Sequence, residues 1–446
     1  MKSSRTVAWY ALVVLFAINA LNFFDRNILG AIGEPVRKEL ELTDASLGLL
    51  QTAFTLFYAF IGIPFGWMAD KFDRRRILSV GIFVWSLLTA LSGFALNFAQ
   101  LFGLRLAVGL GEASCAPAAT SLIGDLFPSK LRSRAMSIFM LGLPVGIALS
   151  YAISGTVTKA YGWRAAFFVA GIPGILLSIA ILFVREPQRG QSEVDPIAAR
   201  VRPGSPFRRI LTSPTMIFII ASGALHNFNL YAISAFVTPF LMRYHHADIQ
   251  TANYVTTAAF GLVGAPGVLL GGYIGDTTFQ RRPNGRLLVA AVAIALSVPL
   301  LFVGLSAPAG SILMFAIVMG SAFALMYFYY SCVYSSIHDI FEPGLRGTAM
   351  AVYFMAFYVL GGSLGPYITG LLSDFFTSRA ARLAGVTEFT QSTLEPFKAQ
   401  GLHEAMFAIP VLSIFLALVL YAASRTAGRE IESLQSWMKE AADERL

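Results

Sequence analysis

The fold is decided by "GWMADKFDRRR", Gly66–Arg76, in which an apolar run ends on a glycine, an aspartate four residues later and three consecutive arginines. "GYIGDTTFQRR", Gly272–Arg282, repeats it at an offset of 206, matching Gly66 with Gly272 and Asp70 with Asp276. A second pair, "GDLFPSKLRSRAMSIF" from Gly124 and "HDIFEPGLRGTAMAVY" from His338, repeats at an offset of 214 and matches Asp125 with Asp339, Phe127 with Phe341 and Arg132 with Arg346. Basic residues follow many apolar helices, but fixed Gly-to-Asp and Asp-to-Arg spacings do not, so the chain reads as a duplication.

What is duplicated is a set of membrane helices. The 446 residues are 56% hydrophobic and only 13% charged, and twelve apolar runs are long enough to span a bilayer. The first, from Val7, carries no charge for 18 positions. An even number of spans puts both termini on one side. That side carries 23 of the 33 Lys and Arg and the other only 8, so the positive-inside rule makes the termini cytoplasmic, in a bacterial inner membrane. Topology therefore accounts for the net charge of +8 without a nucleic-acid partner. Cys115 and Cys332 fall inside spans, which indicates neither a disulfide framework nor a metal site. No metal-ligand cluster, Walker loop or nucleophile motif is present, so neither enzyme activity nor a cofactor is expected, and the energy for any transport must come from a gradient.

A hydrophilic stretch rich in Pro, Gly and charge, Arg185–Arg209, divides the spans six and six. The expected organisation is an all-α polytopic protein of two pseudo-symmetric six-helix bundles, 1–184 and 214–424, joined by a cytoplasmic linker 185–213 and followed by a tail 425–446. Parallel repeats about an axis along the membrane normal place a site between the halves near the bilayer midplane.

Here a family resemblance is specific. "GWMADKFDRRR" resembles the loop motif between the second and third helices of the major facilitator superfamily, and "RLAVGLGEA", Arg105–Ala113, resembles its fourth-helix motif. Within the superfamily, the Asp25–Arg26 pair, "RLAVGLGEA" and "GLVGAPGVLLGGYIGD" in the eighth span together resemble the spinster family. That resemblance implies an amphiphilic lipid cargo of lysophospholipid or sphingoid-phosphate type, carried by a monomer in the bilayer. The first two features also occur in proton symporters of small organic anions such as sugar acids, and that alternative stays open. The second-half loop keeps Gly272, Asp276, Arg281 and Arg282 but lacks the acid at Asp73, which suggests that the halves do not gate identically.

Only Asp25, Arg26, Arg105 and Glu112 are charged well inside the apolar runs, and all belong to the first half. Arg105 and Glu112 are seven residues apart, two turns, and so share a helix face. Burial favours a neutral carboxyl and a nearby guanidinium favours the carboxylate, while arginine itself stays protonated. Asp25 and Glu112 are therefore the proton-coupling candidates, and Arg26 and Arg105 the cations for an anionic cargo. The second half offers "HNFNLYAIS", with His226, Asn227 and Asn229, together with aromatic runs containing Tyr330 and Tyr358, as binding surface for an apolar body. Asp70 and Arg74, with Asp276, Arg132 and Arg346, are the gate candidates at the cytoplasmic ends. "EFTQSTLEPFKAQ", Glu388–Gln400, has the pattern of a short amphipathic segment at the membrane surface, and Ile431, Leu434 and Trp437 recur at helical spacing in the tail.

Overall fold

A computed structural model describes residues 2–127, 129–188, 205–342 and 345–443. Parts of the linker and the end of the tail fall outside them, as do the side chains of Asp70 and Arg132. Among the described residues every regular element is helical, and twelve spans are long and apolar enough to cross a membrane. The first six are Val7–Glu39, Asp44–Gly62, Arg74–Ser92, Phe98–Leu126, Ile138–Tyr161 and Trp163–Phe183. The other six are Pro214–Arg243, Ile249–Arg281, Gly285–Leu305, Ile312–Ile340, Arg346–Leu383 and Gln391–Met438.

Local chemistry sets the helix starts on the first-half side. Thr43, Asp73 and Asn97 each accept backbone N–H groups at the head of the second, third and fourth spans. Asp73 is thus a helix cap, and the Arg75 side chain bonded to it holds its carboxyl below the usual carboxylate range. The ninth span starts after Asn284 with no side-chain cap bond. The acid missing from the second-half loop therefore accompanies a difference in how a helix begins.

Two compact units emerge, and they cut across the duplication. One joins the first six spans to Ile233–Thr257 and Pro366–Ala405, which include ends of the seventh, eighth, eleventh and twelfth spans. The other holds Ile197–Ala232, Ala258–Gly365 and Met406–Leu446. In the first unit, small residues bring backbones together: a Cβ on Gly30 or Gly146 would collide with the carbonyl of Ser234 or Ala20. In the second, the eighth-span glycines seat that helix on the tenth, where a Cβ on Gly271 would lie 2.6 Å from the Phe328 Cα. The residues of "GLVGAPGVLLGGYIGD" are in this respect packing residues.

Two extramembrane segments are more firmly held than their sequences suggest. Gln391–Leu394 and Lys398–Met406 are helical, but Lys398, Leu402 and Ala405 are buried in the first unit, so the amphipathic face meets protein. The tail continues the last helix, Ala408–Asp443, without a break. Ile431 and Leu434 are buried, and Glu430 accepts the Ser213 hydroxyl at 2.7 Å and the Thr215 N–H at 3.3 Å, capping the seventh span.

Candidate functional site

The charged residues of the first half meet in one buried cluster. Glu112 is the last residue of helix Phe98–Glu112, and the fourth span breaks at Ala113–Ser114 before resuming at Cys115. Gly109 and Gly111 bracket the turn that carries it. A Cβ on Gly109 would lie 2.8 Å from the Phe54 carbonyl, and one on Gly111 2.9 Å from Trp85 Cβ, so "GLGE" lets the second and third spans close on the carboxylate. Arg26 Nε donates to Glu112 Oε2 at 3.1 Å, and Asn22 Nδ2 donates to the same oxygen at 2.9 Å. The Arg26 guanidinium lies 4.0 Å from the centroid of Tyr58 and 5.0 Å from that of Phe23, which holds its charge against π-faces.

Asp25 and Arg26, adjacent in sequence, point to different partners. Thr89 donates to Asp25 Oδ2 at 3.3 Å, and Arg105 donates to the Asp25 backbone carbonyl at 3.1 Å. Among the described residues, Asp25 Oδ1, Glu112 Oε1 and Arg105 Nε and Nη1 are buried without a hydrogen-bond partner. Two acids and two bases thus share one dry cluster with bonding capacity left over, an arrangement able to take up a proton or an anionic group.

In the second unit the aromatic residues of the tenth and eleventh spans form a continuous cluster. His226 stacks on Tyr329 at 4.0 Å and meets the edge of Tyr330 at 5.3 Å. Tyr330 continues to Tyr334 at 5.6 Å, and Tyr358 packs on Phe357 at 4.3 Å. Tyr358 begins a π-helical turn, Tyr358–Gly362, and the eighth span has another, Ala258–Val263; such turns re-aim side chains and recur at functional sites. The two asparagines are occupied differently. Asn227 donates to Gly223 O of its own helix, and Asn229 donates to Ser413 Oγ at 3.0 Å, joining the seventh span to the twelfth.

At the face bearing the termini, Arg74 is fully buried and binds Asp125 at 2.5 Å and Glu186 at 2.6 Å. Arg286 binds Asp339 at 2.5 Å and Asp276 at 2.7 Å. Arg286 is the counterpart of Arg74 that sequence reading missed: Arg281 and Arg282 align by loop spacing, but the acid pair Asp125 and Asp339 identifies the functional match. Arg346 donates to the His338 and Phe341 carbonyls, closing the turn between the tenth and eleventh spans.

Against this architecture the comparisons with known proteins are specific. A family model described as Major Facilitator Superfamily matches residues 15–383. The chain belongs to that superfamily. It is 31% identical over 381 residues to the Xenopus laevis protein spinster homolog 1, covering 81% of this chain and 72% of the relative. The human protein spinster homolog 1 is 30% identical with the same coverage, so the chain is a spinster-like member. A crystal structure of a bacterial homolog of the human lysosomal transporter Spinster, inward-facing and unoccupied, superposes with a TM-score of 0.84 at 28% identity, covering 95% of this chain and 98% of that one. A D-xylose-proton symporter, at 14% identity and a TM-score of 0.69, shares the fold alone. As a member of the superfamily the chain is a secondary transporter with a small-molecule substrate.

The far face of this transporter holds a second charge network that sequence reading did not anticipate. Arg243, at the end of the seventh span, forks onto both Asp44 oxygens at 2.8 Å and binds Glu34 at 2.6 Å. Glu34 also takes Arg37, which reaches Glu395 at 2.7 Å. Asp374 accepts the N–H groups of Asp44 and Ala45, and Ser373 donates to Asp44 at 2.6 Å. Asp44 and Glu34 are 0% and 1% exposed, so first-half acids are held by a second-half cation in a dry site. The available signal was the pairing of unmatched charges at span ends: Arg243 is the only Lys or Arg where the seventh span meets the eighth.

Proposed function

We propose that this chain is a proton-coupled carrier of an amphiphilic anion or zwitterion, of lysophospholipid or sphingoid-phosphate type, working as a monomer by alternating access with its termini in the cytoplasm. The observation that carries the reading is the Arg26–Glu112 pair, buried in a membrane bundle yet flanked by unsatisfied polar atoms. A purely structural ion pair there would be costlier than apolar packing, because desolvation cancels most of the Coulomb gain. A planar guanidinium fits phosphate or carboxylate through two N–H bonds, so a cargo head group competes with Glu112 for Arg26. Once released from its cation, Glu112 takes up a proton; Asp25 is the second candidate, with Arg105 bonded to its backbone carbonyl rather than to its carboxylate. His226, Tyr330 and Tyr358 supply apolar and aromatic surface suited to an acyl or sphingoid body. Asn227 and Asn229, whose amide N–H groups are used in helix packing, add polar groups to the same surface.

In this reading the Arg243 network is the outer gate. Asp276 and Arg346, with Arg74, act within their own units as braces of the cytoplasmic helix ends, and Asp70 and Arg132 join the cytoplasmic gate. The test is transport in vesicles with an imposed pH gradient, comparing a lysophospholipid with a hexuronate. Asp25→Asn and Glu112→Gln should each suppress gradient-driven transport of the lysophospholipid while the protein still inserts. If both mutants keep the wild-type pH dependence, these acids are not the coupling groups; if hexuronate alone is carried, the cargo is the small anion.

A further inference from the structure

The cluster around Glu112 contains one partner that is neither charged nor needed to neutralise it. Asn22 lies one helical turn before Arg26 on the same face of the first span, is 2% exposed, and donates to the same Glu112 oxygen that Arg26 binds. An arginine offers only donors and bonds only the carboxylate. An amide offers both a donor and an acceptor, so it bonds a carboxylate through its N–H and a carboxylic acid through its carbonyl.

We propose that Asn22 is a positioning residue that keeps Glu112 in register through both halves of its proton cycle, holding it when Arg26 is withdrawn onto an anionic group. This rests on the proton-coupling reading above. The neighbouring groups make the demand specific. Arg26 and Asp25 face Glu112 from the first span, Arg105 from its own helix and the Cys115 thiol from just beyond the break; the second span brings Tyr58 onto Arg26. The third span packs beside it through Trp85 and bonds Asp25 through Thr89, neither of which titrates. When Arg26 leaves, a buried carboxyl with no other donor on that oxygen would be free to swing toward Arg105, and the next exchange would start from the wrong pair. Asn22 removes that option without adding charge.

Of the two bonds the amide can make, the one to the charged carboxylate is the stronger, so removing the amide favours the protonated form. The protonated fraction is read directly as the infrared carboxyl C=O band of the full-length protein, assigned by its loss in Glu112→Gln. In Asn22→Leu the midpoint of that band should move to higher pH by about one unit, roughly tenfold in proton affinity, as expected for one hydrogen bond to a charged acceptor. Asn22→Ala should move it the same way and covers the case in which Leu does not fold, whereas Asn22→Gln, which keeps both amide functions, should stay near wild type. A merely structural role would lower yield and leave the midpoint in place. A wild-type band that never titrates defeats the proton reading and this inference together; one that titrates but does not move in Asn22→Leu and Asn22→Ala defeats the inference alone.

Discussion

Replacing Arg243 with alanine is expected to open the far face of the carrier. Asp44 and Glu34 lie buried on either side of that guanidinium, and without it the Asp44 carboxylate keeps the Ser373 hydroxyl and only the more distant cation of Lys398. Leaving one charge of a buried pair unpaired costs about 3–5 kcal/mol. Only the closed arrangement bears that cost, since on opening the acids reach water. The closed population should fall by roughly two to four orders of magnitude relative to the open one. Spin labels at Lys38 and Gln250 report it as a lengthened distance, and an unchanged distribution in Arg243→Ala would leave the network as a structural clasp. A second arm separates gating from stability. Arg243→Leu combined with Asp44→Leu removes both charges and leaves Glu34 paired with Arg37. Apolar replacement of a buried pair is commonly neutral or stabilising, so this variant should close as well as wild type or better and transport more slowly. The charges are then explained by the need to open.

This network also marks where sequence reading stopped. The twelve spans, the duplication and the four charges of the first-half cluster were legible because each is a local pattern: an apolar run, a repeated spacing, an ionisable residue among apolar neighbours. The partners were not. Asp25 and Arg26 are adjacent, yet helical geometry turns one toward Thr89 and the other toward Glu112, a choice that depends on which spans lie on either side. Glu34, Asp44 and Arg243 each look like ordinary charges at a helix end, and only the packing of Ile233–Thr257 and Pro366–Ala405 on the first six spans makes them a buried network. Arg286 was hidden by the register. Loop spacing gave an offset of 206, whereas Arg74 and Arg286 differ by 212, close to the 214 that relates Asp125 to Asp339. Asn22 carried no signal at all, because a polar residue within an apolar helix shows its use only through the acid it faces.

Arg26→Lys should weaken an anionic cargo selectively, and Arg26→Ala should abolish its transport. Lysine keeps the charge but loses the planar fork and the stacking on Tyr58 at 4.0 Å, so a phosphate that gains two parallel bonds from arginine gains one from lysine. The expected loss is about tenfold in affinity for a lysophosphatidate, corresponding to roughly 1.4 kcal/mol. A monoacylglycerol of the same chain length has no anionic group and should bind the wild type and both variants alike, because its contacts are with apolar surface. Alanine goes further. With Arg26 gone, Glu112 retains Asn22 and the more distant Arg105, the carboxyl holds its proton to higher pH, and residual binding of the anion loses its pH dependence. Titration calorimetry of the three proteins with the two lipids, at two pH values, distinguishes recognition from architecture. If both lipids lose affinity equally in Arg26→Ala, the guanidinium only ties the first span to the fourth, and cargo and Glu112 do not compete for one cation.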